Sequence, residues 1–239
     1  MGDDPFSRAL LAGAADLGLS LPEADLAAYR AHFALLLEHN PRAGLTSLTD
    51  PVEIAVKHYL DSLTCLLVRD LAASEEVADI GSGGGFPGMV LALARPAARF
   101  TLVDSSAKRT AFLRIAADAL HLTNTTIITA RAEALGQDPD CRERYDLVLS
   151  RALAPLPVLL EYCLPLARLG GQVLAMKGPD AGLTASAQAL TTLGGRLATT
   201  HRLELPQGLG ARTLVLLEKI TTTPARYPRR PGAPAKRPL

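Results

Sequence analysis

From residue 77 onward the chain alternates short apolar runs with helical stretches, and this alternation constrains the fold more than any other feature. The runs are Val77–Ile80, Phe100–Val103, Thr126–Thr129, Leu147–Leu149 and Gln172–Met176. Between them lie stretches such as Lys108–Leu120 and Pro157–Leu166, whose apolar residues recur at helical spacing. Strand, helix, strand at intervals of about 20–26 residues predicts a parallel sheet with right-handed crossovers and helices on both faces. Two further runs, Leu197–Leu205 and Thr213–Ile220, follow the last such unit. The link between them, Pro206 to Gly210, is too short for a crossover, so these two strands should pair antiparallel. The chain therefore reads as α/β, with a mostly parallel seven-stranded sheet that ends antiparallel.

The first part of the chain is helical. Leu10, Leu11, Ala14, Ala15 and Leu17 form one apolar stripe; Leu26, Tyr29, Phe33, Leu36 and Leu37 form a second. Ser20 is placed to cap the second helix, with Glu23 closing a capping box. Asp50-Pro51-Val52-Glu53 signals another helix start, with Asp50 as the cap and Pro51 at the first helical position. That helix should run to about Val68 and carry Ile54, Lys57, His58 and Asp61 on one face. Residues 1–70 thus form an N-terminal helical extension packed on a core of residues 71–221. A basic tail follows over 222–239, and its prolines at 224, 228, 231, 234 and 238 argue against regular structure.

Composition narrows the class. Apolar residues make up 48% of the chain, enough for a sizeable core, but Trp is absent and aromatics reach only 4%, so that core rests on Leu, Val, Ile and Ala. No apolar run approaches the roughly 20 residues that span a bilayer. The start, Met1-Gly2-Asp3-Asp4, is acidic and lacks the pattern of a secretory signal, which points to a cytoplasmic protein. Cys65, Cys141 and Cys163 lie far apart and predict neither a disulfide framework nor a metal site. Of 25 bases, five fall in residues 226–239, so residues 1–225 carry 20 against 24 acids. A mildly acidic body ends in a basic tail.

The candidate ligand loop is Asp79-Ile80-Gly81-Ser82-Gly83-Gly84-Gly85-Phe86-Pro87-Gly88. It leaves a strand and opens a helix. Its glycines admit a ligand close to the backbone, and the helix start offers free N–H groups. Two templates fit. Gly83, Gly85 and Gly88 match the dinucleotide pattern G-x-G-x-x-G. Asp79, Gly81, Gly83 and Gly85 match the acid-x-G-x-G-x-G pattern of S-adenosylmethionine sites. Asp104, at the end of the next strand, suits a ribose in either case. Three features favour S-adenosylmethionine. Asp79 stands where dinucleotide strands carry a small residue, and its carboxylate can order the loop and face a cationic cofactor. Glu133, after the third strand, can accept a hydrogen bond from an adenine amine, although it also reads as an ordinary acid in a helix first turn. The terminal antiparallel pair fits the methyltransferase sheet better than the dinucleotide one.

At this point the residues resemble the bacterial small-subunit rRNA guanine-N7 methyltransferases, the glucose-inhibited division protein B family. The matching segments are Leu45-Thr46-Ser47 with Asp50-Pro51, Val56-Lys57-His58-Tyr59-Leu60-Asp61-Ser62, the glycine loop, Asp104-Ser105, Lys108-Arg109 with Phe112-Leu113-Arg114, and Arg131-Ala132-Glu133. Ser150-Arg151-Ala152, Met176-Lys177-Gly178 and Tyr227-Pro228-Arg229-Arg230-Pro231-Gly232 continue the match, which covers roughly residues 20–239. The glycine loop is generic; the Lys57–Ser62 and Ser150–Ala152 segments are specific. One departure is Gly44, where the family commonly has Asn before Leu-Thr. The resemblance implies a class I, Rossmann-like methyltransferase fold, S-adenosylmethionine as cofactor, and N7 of one guanine in 16S rRNA as acceptor (position 527 in conventional rRNA numbering). It implies a substrate of 16S rRNA or a 30S particle, no membrane partner, and a monomer. Carried over by position, Gly81 and Phe86 contact the cofactor, Asp104, Ser105 and Ser106 line ribose and adenine, Ala132 and Glu133 meet the adenine, and Arg151 closes the site beside the methyl group.

The chemistry agrees with the residues. Guanine N7 carries a lone pair and no proton, so methyl transfer needs positioning and desolvation rather than a base or nucleophile. The fourth strand ends Ser150-Arg151-Ala152-Leu153-Ala154-Pro155, without the Asn/Asp-Pro-Pro-aromatic motif of amine methylation or a nucleophilic Cys. No metal is implied. Candidate RNA contacts are Lys57, His58, Lys108, Arg109, Lys177, Arg229 and Arg230. Lys57 also reads as an i,i+4 partner of Asp61, and the tail as a loose end. Two other readings stay open: a methyltransferase of another RNA or small molecule, and a non-catalytic ribosome-assembly factor. An oxidoreductase is disfavoured, since no Tyr-x-x-x-Lys follows the loop.

Overall fold

Residues 4–239 are described by the computed structural model; the acidic start at Met1–Asp3 lies outside them. Helix α1 (Pro5–Asp16) opens on Asp4, whose carboxylate accepts the Ser7 N–H and hydroxyl at 2.9 and 2.7 Å. Helix α2 (Glu23–Ala43) starts without the expected cap from Ser20. Pro22 occupies the cap position in an extended conformation (φ −59°, ψ 151°) and makes no side-chain cap bond. Ser20 therefore sits two residues short of the first turn. At its other end α2 stops on Gly44 in the left-handed region (φ 61°), whose N–H returns to the Asn40 carbonyl. Gly and Asn are the two residues that region favours, so the departure at Gly44 keeps the turn intact. The Asn40 side chain holds the loop that follows, accepting the Leu45 and Thr46 amides at 2.8 and 2.9 Å.

The third helical run is continuous in path but not in type. Asp50 accepts the Glu53 N–H at 2.9 Å and starts α3 (Pro51–Ile54). A π-helical turn over Ala55–Leu60 leads to α4 (Asp61–Leu63) and α5 (Cys65–Val68). Such a widened turn frequently marks a functional site, because it re-aims side chains and carbonyls. Here it lies over Lys57 and His58.

The remaining elements alternate as β1 (Glu76–Ile80), α6 (Gly88–Ala94), β2 (Arg99–Asp104), α7 (Ala107–Ala119), β3 (Thr125–Thr129), α8 (Ala132–Leu135), β4 (Tyr145–Arg151), α9 (Leu156–Cys163), β5 (Ala167–Lys177) and α10 (Ala187–Leu193). Then come β6 (Gly195–Glu204), β7 (Ala211–Lys219) and α11 (Ala233–Lys236). The sheet order is β3-β2-β1-β4-β5-β7-β6. Strands β1 to β5 are parallel, and β7 runs antiparallel to both neighbours. The last strand thus enters between β5 and β6. Composition explains the choice: Thr213–Leu217 of β7 are buried, whereas Arg196–Arg202 of β6 are exposed and suit an edge.

Strand residues divide strictly between two cores. On β4, β5 and β7, Leu147, Leu149, Leu174, Met176, Leu214 and Leu216 join one cluster; Val148, Val173, Ala175, Val215 and Leu217 join the other. The first cluster is completed by the N-terminal helices, α6 and α7, through Phe6, Tyr29, Leu36, Tyr59, Met89 and Phe112. The second is completed by α9 and α10.

The tail departs from expectation. It contains one helical turn, α11, with Pro234 in the first turn, where a missing N–H breaks no bond. The rest is irregular yet fixed. Arg142 donates to the carbonyls of Gly136, Tyr227 and Thr223, each at 2.7 Å, and Gln137 donates to that of Pro228 at 2.8 Å. Among the described residues no helix is long and apolar enough to cross a membrane, and no cluster of His, Cys, Asp or Glu could hold a metal.

Candidate functional site

A cleft of about 530 Å³ opens at the carboxyl ends of β1 to β4. That is where open α/β sheets bind ligands, and the size suits a small molecule. Six of the residues expected at a cofactor line it: Gly81, Asp104, Ser105, Ala132, Glu133 and Arg151. Arg109, Tyr162 and the segment Ala152–Pro155 complete the near walls.

The glycine loop is built to hold Asp104. Gly81 turns at φ 83° and donates its N–H to the Val103 carbonyl at 2.8 Å. The Ser82 hydroxyl takes the Val103 N–H (3.1 Å) and donates to the Asp79 carbonyl (2.9 Å). The Gly83 and Ser106 amides donate to the two oxygens of Asp104, at 3.0 and 2.8 Å. Asp104 is 5% exposed, and each oxygen keeps a lone pair for a ligand.

Five expected cofactor residues, Asp79, Gly83, Gly85, Phe86 and Ser106, do not line the cleft. Asp79 does not face a cationic ligand. It lies fully buried beneath the loop, with Oδ2 accepting the Gly88 N–H at 2.9 Å and Oδ1 without a partner. Burial raises its pKa to about 6. Gly88 leaves room for this carboxylate, since a Cβ there would stand 2.7 Å from it and 2.4 Å from Leu102. Gly85 (φ 94°) packs on Met89 and His32. Phe86 is buried, stacked on His58 at 4.6 Å, with Tyr59 edge-on at 5.2 Å. Gly83 and Ser106 act through their amides on Asp104. All five shape the site from behind.

Arg151 is the best-held charge in the cleft. Its Nη1 donates to the Lys57 carbonyl at 2.7 Å and to Asp61 Oδ2 at 3.1 Å. Its Nη2 lies 3.2 Å from His58 Nδ1, and its guanidinium sits over the Phe86 ring at 5.3 Å. The other oxygen of Asp61 accepts Arg212 Nε at 3.1 Å. The sequence offers Asp61 only as an i,i+4 partner of Lys57 and carries no signal for Arg212, which lies 151 residues away. His58 Nδ1 faces both the Arg151 donor and the Lys57 carbonyl, the latter at 3.1 Å, and Nε2 lies 2.8 Å from Thr46 Oγ1, so in either tautomer the ring bridges the π-helical turn to the Thr46 loop. Burial, reinforced by Arg151, lowers the His58 pKa to about 3.

The expected RNA contacts separate accordingly. His58 is neutral and supports Arg151, so it brings no charge to a phosphate. Lys57 pairs with Glu53 rather than with Asp61. Lys177 donates to the Ala154 carbonyl at 2.6 Å and props the loop after β4; burial lowers its pKa. Arg229 is committed to Glu161, a fully buried carboxylate that takes its backbone N–H at 2.8 Å and Nη2 at 2.6 Å. Arg109 lines the cleft, with Nη1 3.6 Å from Asp104. Lys108 is exposed in a neighbouring groove with His39 and Arg42, and Arg230 is exposed in the tail.

Both carboxylates in the cleft already accept backbone N–H groups: Asp104 as above, and Glu133 Oε1 from Gly232 at 2.8 Å. Among the described residues no Cys, His or Lys lines it. The cleft can bind and orient, and its hydroxyl groups come from Ser105 and Tyr162.

Comparison with known proteins agrees with this picture. The family model for GidB, rRNA small subunit methyltransferase G, matches residues 25–205. The chain is similar to the ribosomal RNA small subunit methyltransferase G of Pelotomaculum thermopropionicum, 46% identical over 95% of this chain and 96% of that one. It resembles those of Deinococcus deserti (45%, over 96% and 95%) and Bacillus subtilis (40%, over 95% and 96%) in the same way. Among solved structures, TrmN from Thermus thermophilus shares the fold at TM-score 0.53 and 23% identity, over 75% of this chain and 52% of that one. A mutant of MtNAS in complex with S-adenosylmethionine shares it at 0.55 and 18%, over 80% and 73%.

Proposed function

The chain belongs to the rRNA small subunit methyltransferase G family, and we propose that it uses S-adenosylmethionine to methylate N7 of one guanine in 16S rRNA. The observation that carries this reading is the cleft itself, which brings the acids Asp104 and Glu133 together with Arg151 at the carboxyl ends of β1 to β4. Asp104, Ser105, Ala132 and Glu133 would hold the nucleoside, and the Gly81 backbone and Arg151 the opposite end. When bound, the cofactor supplies an electrophilic methyl group. Asp104 has unshared lone pairs to accept ribose hydroxyls, and its orientation is set by the Gly83 and Ser106 amides.

The acceptor side follows from Arg151. Its Nη1 protons and one Nη2 proton are taken, which leaves Nε–H and the second Nη2–H for a ligand. Guanine offers O6 beside N7, an edge that arginine reads well. A donor placed on O6 would leave the N7 lone pair open to the methyl group. N7 has no proton to lose, so the tied state of both carboxylates costs the reaction nothing. Arg109, Lys108 and Arg230 supply exposed charge for phosphates, whose pull falls with salt. We place the reaction in the cytoplasm, on 16S rRNA or a 30S particle, with a monomeric enzyme.

The test is transfer of label from S-adenosylmethionine to ribosomal RNA, followed by borohydride and aniline cleavage. Label in 16S rRNA with cleavage at a single guanine is the expected result. Label confined to tRNA, or resistant to aniline cleavage, on naked rRNA and on 30S particles alike, would overturn the proposal.

A further inference from the structure

We infer that the C-terminal segment from Gly232 to Pro238 is a wall of the cofactor site at its adenine end, an assignment that rests on the S-adenosylmethionine reading above. Ala235 and Pro238 line the same cleft as Asp104, Glu133 and Arg151. They enter it from α11 and the residues just after it; α11 packs on α9, the helix that supplies Val158 and Tyr162 to the same cleft. A purine in an open α/β sheet needs apolar surface on its faces and a polar group at its edge. Val158 and Tyr162 supply apolar surface there, and Ala235 and Pro238 of the tail add to it.

The polar edge also depends on the tail. Glu133 is 3% exposed, and its Oε1 accepts the Gly232 N–H at 2.8 Å. Gly232 presents that N–H from the left-handed region, at φ 81°. With Oε1 held, Oε2 faces the exposed Arg131 at 3.5 Å and can accept an exocyclic amine. The tail thus fixes the rotamer of the residue that reads the adenine.

Three side chains on and after α8 and α9 are spent on keeping the tail there. Arg142 and Gln137 donate to its carbonyls, and the fully buried Glu161 takes Arg229 by backbone and guanidinium together. A loose basic arm would leave these groups in water. This anchoring brings the following residues to the cleft beside Glu133, the side chain assigned to the adenine.

The experiment compares the full chain with a truncation ending at Pro231 and with Ala235→Asp, which alters an exposed position outside any buried contact. Calorimetry measures S-adenosylhomocysteine and 5′-methylthioadenosine, both uncharged overall at the adenine end. The expected result is at least tenfold weaker binding for both variants. The factor should be the same for the two ligands, since the second lacks the amino-acid end that the tail does not touch. RNA affinity and its salt slope should change little for Ala235→Asp. Affinity for S-adenosylhomocysteine within twofold of the full chain, in Ala235→Asp and in a folded truncation, would overturn the inference. A loss confined to S-adenosylhomocysteine would overturn it as well, by moving the tail to the other end. If the full chain itself binds neither ligand, the S-adenosylmethionine reading fails, and the inference with it.

Discussion

Asp61→Ala is the sharpest probe of the site, because one buried carboxylate holds two guanidiniums. Asp61 is 3% exposed and lies 3.1 Å from both Arg151 Nη1 and Arg212 Nε. Removing one partner of a buried pair costs about 3–5 kcal/mol, because the remaining charge is left uncompensated. The two arginine side chains retain 15% and 21% exposure, so water relieves part of that cost and the lower end, about 3 kcal/mol, applies. For a chain of this length, each kcal/mol moves Tm by roughly 2–4 °C, which predicts a fall of roughly 6–12 °C in thermal unfolding. Asp61 does not line the cleft, so its effect on catalysis passes through Arg151. Single-turnover methyl transfer should drop roughly tenfold or more, about 1.4 kcal/mol in the barrier, while affinity for 5′-methylthioadenosine, which lacks the end that Arg151 holds, changes less than about threefold. Combining Asp61→Ala with Arg212→Met should show coupling on the order of 1 kcal/mol. A Tm change under about 2 °C, or a loss in 5′-methylthioadenosine affinity equal to the loss in rate, would refute the reasoning.

Two further outcomes follow from buried carboxylates. Burial raises the Asp79 pKa from 3.8 to about 6, so the folded protein holds a proton there that the unfolded chain releases. Stability from this group is full below pH 4 and is lost as pH rises through 6. Asp79→Asn lacks that loss and should gain on the wild type by roughly 3 kcal/mol between pH 4 and 7, by denaturant unfolding; a pH-independent difference would contradict the assignment. Arg229→Ala strands Glu161, which is fully buried, and should cost about 3 kcal/mol while leaving the salt slope of RNA binding unchanged. A slope reduced by about one would return Arg229 to the phosphate contacts.

The fold was legible because its signals are local. Apolar runs such as Val77–Ile80 and Phe100–Val103 lie inside β1 and β2, and Asp50-Pro51 caps the helix that it announces. The place of β7 between β5 and β6 was less so, since the short turn at Pro206 fixes only that β6 and β7 are antiparallel neighbours. In the site, residues at the carboxyl end of a strand were readable by position: Gly81, Asp104 and Arg151 all line the cleft. Asp79, Gly85 and Phe86 belong to the same run of sequence but point beneath the loop. A glycine pattern marks the path of a backbone, not which side chains face the ligand. Arg212 left no trace at all, because its meaning comes from a contact across most of the chain.

The tail shows most directly why charge alone misleads. Five cations in 14 proline-rich residues read as an arm for phosphates. Folded, Arg229 is neutralised by Glu161 and Arg226 covers the Tyr227 ring at 5.1 Å, while Arg230, Lys236 and Arg237 remain exposed. The prolines serve the same end. A segment with few N–H groups has few to satisfy when it crosses the surface of α8 and α9, and those it keeps are used: Arg229 on Glu161, Gly232 on Glu133. Glu133 therefore answers to two parts of the molecule. Its place after β3 brings it to the cleft, and the tail decides which of its oxygens is left free there. Cofactor affinity and tail docking are then linked, each favouring the other by the same factor. Ligand binding should protect the Gly232 amide from hydrogen exchange, an effect that a tail serving only RNA would not show.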